Sequence, residues 1–148
     1  IPKHSTLPGM EQIHATVIDI GGDGVLLRGP SGCGKSDLAL RLIDAGARLV
    51  ADDRTDLAIS DGRVFASAPV ELSGLIEVRG VGIVSMAALK KTPLALAVDL
   101  VGGGDVERMP EPASVDILGL SIPLLHLAPF EASAAAKVRA ALKFNVKL

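Results

Sequence analysis

No tryptophan or tyrosine occurs in these 148 residues, and phenylalanine only three times. Aromatics make up 2% while apolar residues make up 49%, so the core has to be assembled from valine, leucine, isoleucine and alanine. Cys33 is the single cysteine; an internal disulfide is excluded and a reducing compartment fits. Basic blocks are missing as well. Fifteen Lys and Arg stand against seventeen Asp and Glu, a formal net charge of −2, which lacks the clustered cations that nucleic-acid backbones require. Mean hydropathy is high, +0.44, yet no run approaches the roughly 20 apolar residues of a membrane-spanning helix. Residues 93–100 come nearest, and Asp99 and then Gly102-Gly103-Gly104 interrupt them. The opening Ile1-Pro2-Lys3-His4 carries no signal-peptide apolar region. A cytoplasmic protein, with neither membrane nor nucleic acid as partner, is expected.

What is present is punctuated clearly. Residues 13–20, dense in Val, Ile and Thr, predict one strand, and Gly21-Gly22-Asp23-Gly24 the turn after it. Residues 25–27 predict a buried strand running into a glycine-rich loop. Residues 35–45 predict a helix with Leu38, Leu42 and Ala45 on one face and Gly46 as its stop. Residues 48–51 predict the next strand, ending in Asp52-Asp53. Strand, loop, helix and strand in this order predict a βαβ unit with a parallel pair. Further on, residues 57–60 and 63–67 predict a hairpin about Asp61-Gly62, residues 75–79 a short strand and residues 85–90 a short helix. Residues 94–101 predict a strand followed by a flexible triple-glycine loop, residues 117–120 and 122–127 one or two more strands, and residues 130–144 an Ala-rich helix. Residues 1–11 read as a loose opening stretch. No repeat or linker divides the chain, so residues 1–148 are expected to form one α/β domain, a P-loop-containing mixed β-sheet with few helices.

Gly29-Pro30-Ser31-Gly32-Cys33-Gly34-Lys35-Ser36 meets the spacing G-x-x-x-x-G-K-S in full. Glycines let successive backbone N–H groups turn inward around an anion, and the following helix directs its positive end at the same anion. Lys35 can reach terminal phosphates and the Ser36 hydroxyl can ligate Mg²⁺. A chance glycine-rich turn is the plain alternative, and the apolar strand before the loop and amphipathic helix after it argue against it. ATP, or a similar triphosphate, with Mg²⁺ is the expected ligand. Cys33 reads as a small residue that fits the loop, with redox sensing as the alternative.

Asp52 and Asp53 stand one helix and one strand beyond that loop, where an acid can act on Mg²⁺ or its water. Two adjacent acids allow two tasks, one on the metal shell and one accepting a proton from an attacking hydroxyl. Asp-Asp-Arg-Thr-Asp also suits a solvated turn; the phosphate loop upstream favours function. From pattern alone, Glu77 and Arg79 share one face of a strand as a solvent-facing pair, His14 reads as a hydrogen-bonded structural histidine, and Arg108 as a surface charge.

Together, three stretches resemble the C-terminal catalytic domain of the bifunctional HPr kinase/phosphorylase family, bacterial enzymes that phosphorylate a serine of the phosphocarrier HPr. They are residues 29–40 running on to Arg48-Leu49-Val50-Ala51-Asp52-Asp53; Leu75-Ile76-Glu77-Val78-Arg79-Gly80-Val81-Gly82-Ile83, close to the family signature; and Ile13-His14 ahead of the loop. The resemblance implies that Asp52 is the acid–base residue, deprotonating the target serine in one direction and protonating it in the other. It implies that Lys35 holds the transferring phosphate, that Ser36 and Glu77 bind magnesium, and that His14 is a catalytic-site histidine. Glu107-Arg108-Met109 resembles the segment carrying a catalytic arginine, so Arg108 would stabilise phosphoryl charge. An HPr-like carrier is the implied partner and a hexamer the implied assembly. Full-length members carry a further N-terminal domain that this sequence does not show, so either a short form or a trimmed piece of a longer chain is expected. The family's basic Pro-Gly-Arg type loop, linked to dephosphorylation, is matched here by Leu124-Leu125-His126-Leu127-Ala128-Pro129-Phe130 without an arginine; kinase activity is expected more firmly than phosphorylase.

Two rivals remain at the level of sequence. Guanylate kinases and other small-molecule kinases share the loop, but need a second nucleotide pocket and a lid, usually with several Arg and Tyr residues. A sensing module would bind ATP and transfer nothing, and would have no need of Asp52 as a base.

Overall fold

The computed structural model describes residues 9–143. Its centre is a mixed nine-stranded sheet. The run of residues 13–20 is not one strand but two: β1 (Met10–His14) and β2 (Thr16–Ile20). Ala15 lies between them and donates its N–H to the carbonyl of Asp53 at 3.1 Å, and from there the chain changes partners. A continuous β-branched stretch fixes extended backbone but not which neighbour each half pairs with. The expected loose opening is corrected over Met10 and Glu11, which belong to β1; residues 1–8 lie outside the described residues.

β3 (Asp23–Arg28) pairs antiparallel with β2, and α1 (Lys35–Asp44) leads to β4 (Arg48–Ala51). β4 runs in the same direction as β3, as the βαβ reading requires, but the two are not a pair: β2 lies between them, antiparallel to both. The predicted parallel pair is thus replaced by an inserted strand from earlier in the chain, a long-range choice that local pattern does not carry.

β5 (Arg54–Ser60) and β6 (Arg63–Ser67) form the expected hairpin. Asp61 at φ 52° and Gly62 at φ 73° make the left-handed two-residue turn that Asp-Gly favours. After a 3-10 turn at Val70–Leu72, β7 (Leu75–Val78) and β8 (Gly82–Ser85) make a separate two-stranded sheet. No helix forms over residues 86–90. Leu89 instead donates its N–H to the carbonyl of Leu49 at 2.9 Å and Ala88 bridges Leu49, so pairing along the open side of β4 overrides the helix propensity of Met-Ala-Ala-Leu.

β9 (Thr92–Leu100) joins the two halves of the large sheet. One side pairs in parallel with β3. The other meets β6 through Thr92 and Pro93, then β11 through residues 97–100. The triple glycine enters a 3-10 turn at Gly103–Asp105; β10 (Ser114–Ile117) and β11 (Leu120–Leu127) form a hairpin, and α2 (Ala134–Lys143) closes the described chain. The predicted last helix therefore starts four residues late, and its far end at Phe144 lies outside the described residues.

The sheet is buried on both faces, as its unbroken apolar runs require. Val25, Leu27, Leu96 and Val98 pack beneath Leu38 and Leu42 of α1 and Val138 of α2. Leu26 and Ala97 face the other way, against Val17, Val50, Leu57 and Val64. One polar pair pins this interior. The buried Asp19 carboxylate, near the end of β2, accepts from the Thr92 hydroxyl at 2.6 Å and from the Gly22 N–H at 3.0 Å. Asp19→Ala is expected to lower stability by about 1–3 kcal/mol, the cost of stranding a buried donor, with a reduced urea midpoint as the readout.

Candidate active site

β3 delivers the chain to the glycine-rich loop and α1 carries it away. Gly32 at φ 78° and Gly34 at φ 104° take left-handed backbone that other residues rarely adopt. Gly34 caps α1 with no side-chain acceptor, so the N–H groups of the first turn are left for an anion. Lys35 is 7% exposed. Its ammonium donates to the carbonyls of Gly29 at 2.8 Å and Pro30 at 3.1 Å, and lies 3.9 Å from Cys33 Sγ. The loop thus holds its own cation at its centre. Beneath it, Arg28 grips Asp99 of β9 with Nε at 2.7 Å and Nη2 at 3.0 Å, tying the strand that feeds the loop to its neighbour.

A cleft of about 500 Å³ opens beside the loop. It brings together His14, Ser31, Gly32, Gly34, Lys35, Ser36, Asp52, Asp53 and Glu77 from the sequence-predicted residues. Asp52, at the end of β4 and 7% exposed, is the convergence point. Oδ1 accepts from the Ser36 hydroxyl at 2.6 Å and the Thr16 hydroxyl at 2.9 Å; Oδ2 accepts from the backbone N–H of Glu77 at 2.9 Å. Helix α1, strand β2 and the β7–β8 sheet therefore all meet at one carboxylate. Asp53 turns outward at φ 71°, and His14 Nδ1 stands 3.4 Å from its Oδ1, with both side chains about 60% exposed. His14 is thus no core histidine. Arg108 is exposed, between the Gly103–Asp105 turn and β10, and does not line this cleft. Gly29, Pro30 and Cys33 do not line it either.

Three contributors escaped the sequence reading. Thr16 orients Asp52 and also accepts the Asp53 N–H at 3.3 Å; its one signal is a hydroxyl in an apolar run. Arg41 of α1 donates to the carbonyls of Pro129 and Glu131 and pairs with Asp37. It thereby straps residues 129–131 across the helix start. Phe130 consequently sits against the loop: a Cβ on Gly34 would come 2.9 Å from Phe130 Cζ and 3.1 Å from Pro129 Cβ. Gly34→Ala combines that clash with a strained φ, and is expected to cost about 1–3 kcal/mol in denaturant unfolding.

The donors are chemically apt for magnesium. Among the described residues no group of three His, Cys, Asp or Glu forms a metal cage. Mg²⁺ asks for less, since it is held by one or two oxygen ligands plus substrate phosphates. The Ser36 hydroxyl and the carboxylates of Asp53 and Glu77 on the cleft supply hard oxygens of that kind.

An anion-cradling loop set against a buried carboxylate defines a class of α/β protein that handles phosphate groups. Within it the family is clear: the profile of the HPr Serine kinase C-terminal domain matches residues 5–131, and the chain belongs to that family. It is 43% identical over 121 residues to an HPr kinase/phosphorylase of Burkholderia lata, covering 74% of this chain and 38% of that protein. To an HPr kinase/phosphorylase of Clostridium tetani it is 41% identical over 91 residues, 62% of this chain and 30% of that one. The HPr(Ser) kinase/phosphatase structure from Coxiella burnetii superposes with a TM-score of 0.79 at 26% identity, covering 91% of this chain and 89% of that one. The chain spans about a third of the length of the curated relatives it matches.

Proposed function

We propose that residues 1–148 form the catalytic domain of a cytoplasmic Mg²⁺- and ATP-dependent protein serine kinase acting on HPr or an HPr-like phosphocarrier. The observation that carries this reading is the 2.6 Å contact from the Ser36 hydroxyl to the Asp52 carboxylate. It sets a metal-binding hydroxyl and a proton acceptor side by side next to the anion cradle. The serine of a carrier as acceptor follows from the names of the relatives.

Mg²⁺-ATP, when bound, supplies the electrophilic phosphorus and part of the charge neutralisation. The remaining work falls to the chain. Loop N–H groups and Lys35 bind the terminal phosphates, the lysine exchanging carbonyl partners for phosphate oxygens. Ser36, Glu77 and Asp53 would hold the metal. An ionised carboxylate offers about four acceptor sites; three donors occupy Asp52 and leave one for the proton of the incoming serine. His14, oriented by Asp53, adds a donor at the mouth. Arg108 is assigned to phosphoryl charge; being outside the cleft, it has to arrive by movement of its segment or from another copy in a homo-oligomer such as a hexamer. In the reverse, phosphorylase, direction Asp52 would return the proton to the serine oxygen. Residues 124–130 bring no arginine to that step, so the kinase direction is expected to dominate.

The reading is tested by following ADP release with Mg²⁺-ATP and the protein alone, then with an HPr-type carrier added. ADP formed only with the carrier supports it. ATP that binds but yields no carrier-dependent ADP points to a sensing module instead.

A further inference from the structure

A second cleft, of about 580 Å³, lies on the other side of the phosphate loop. Its position follows from the strand order. β9 and β11 run parallel to β3, with Arg28 opposite Asp99 and Asp99 opposite His126. The three strands therefore end at the same edge of the sheet, where open α/β sheets bind ligands. The segments leaving β9 and β11 form the cleft, and Pro30 and Cys33 of the phosphate loop itself form its near wall. Asp52 and Glu77 lie across the loop, on the β4 side. We infer that this second cleft receives the purine base of the nucleotide whose phosphates the 29–36 loop holds. The inference rests on the proposal above that the loop binds a nucleoside triphosphate.

The chemistry of the walls selects such an occupant. Leu100, Val101 and Phe130 supply apolar surface, and Phe130 is 67% exposed, unlike a core aromatic. A planar base needs apolar faces and few edge contacts, and base–aromatic stacking is favourable whatever the base. Among the described residues no Lys or Arg lines the cleft, and its one charged lining residue is Glu131, whose Oε2 accepts from Lys137 at 3.0 Å. A second phosphate is therefore disfavoured there, while Glu131 Oε1, the oxygen nearer Gly103, can accept from an exocyclic amino group. The wall is also held in place: Arg41 binds the carbonyls of Pro129 and Glu131, so the base cleft and the phosphate loop share helix α1 as their frame. The volume falls within the range of about 300–1,000 Å³ typical of small-molecule sites.

Gly103 offers the cleanest probe. A Cβ there would meet only Glu131 Oε1, at 3.9 Å, so Gly103→Leu fills the cleft without a backbone clash. Calorimetric titration of ATP and of inorganic tripolyphosphate, each with Mg²⁺, into wild type and variant separates base from phosphates. The expected result is about a tenfold rise in Kd for ATP in the variant, the order of one lost stacking contact, with tripolyphosphate unchanged. An unchanged ATP affinity, or equal weakening of both ligands, overturns the inference. Should the variant not fold, nuclear Overhauser contacts from the adenine H8 of bound ATP to the methyl groups of Leu100 and Val101, which line the second cleft and not the first, decide the matter in wild type; their absence in the saturated complex overturns it. Wild type binding ATP no more tightly than tripolyphosphate removes the base cleft and leaves the phosphate loop standing. Wild type binding neither ligand removes the nucleotide reading and the base cleft with it.

Discussion

Asp52→Asn is expected to slow phosphoryl transfer to a carrier serine by about 10²–10⁴-fold, the usual share of a general base, while ATP still binds. The substitution keeps the shape of the side chain and removes its capacity to take a proton. Its amide oxygen can keep the two hydroxyls of Ser36 and Thr16, both of which rotate. Its NH₂ group then faces the Glu77 N–H, donor against donor, where Oδ2 accepted at 2.9 Å. One stranded buried donor costs about 1–3 kcal/mol, so a small drop in denaturant midpoint should accompany the kinetic loss. Single-turnover transfer with saturating Mg²⁺-ATP reads the chemical step directly. A variant that transfers within a few-fold of wild type would remove Asp52 from the role of base.

Lys35→Ala should fail differently. The lysine ammonium lies inside the loop on two backbone carbonyls, so its loss takes away a positive charge that serves both ground-state phosphate and transition state. A fall in kcat/KM of about 10²–10³-fold is expected, with weaker ATP binding contributing to it. Lys35→Arg should not restore activity, because a planar, five-donor guanidinium does not fit a cradle built around a point charge. The two variants thus separate by titration calorimetry: affinity holds in Asp52→Asn and falls in Lys35→Ala. Affinity unchanged in Lys35→Ala would place the phosphates elsewhere.

The conformation of the glycine-rich loop was legible because its requirements are local. Gly32 and Gly34 are needed for backbone that other residues resist, and Lys35 and Ser36 follow at fixed spacing. The placement of Asp52 beside that loop was legible for a related reason, since it follows directly on the next strand. What the sequence did not disclose was pairing. The insertion of β2 between β3 and β4, the change of partner at Ala15, and the capture of Ala88 and Leu89 by Leu49 all depend on contacts distant in sequence. Thr16 and Arg41 escaped for the same reason, since their roles exist only once β2 meets β4 and α1 meets residues 129–131. His14, Glu77 and Arg108 drew their assignments from family resemblance. The fold brings His14 and Glu77 to the Asp52 cleft and leaves Arg108 outside it.

The central claim is that this loop and this carboxylate together move a phosphoryl group onto a protein serine. The most direct measurement is mass-spectrometric mapping of an HPr-type carrier after incubation with Mg²⁺-ATP and the wild-type chain, beside Asp52→Asn. The account predicts phosphate on one carrier serine with wild type and none above background with the variant. A carrier left unmodified by wild type with ATP bound, or modified equally by both proteins, would contradict it.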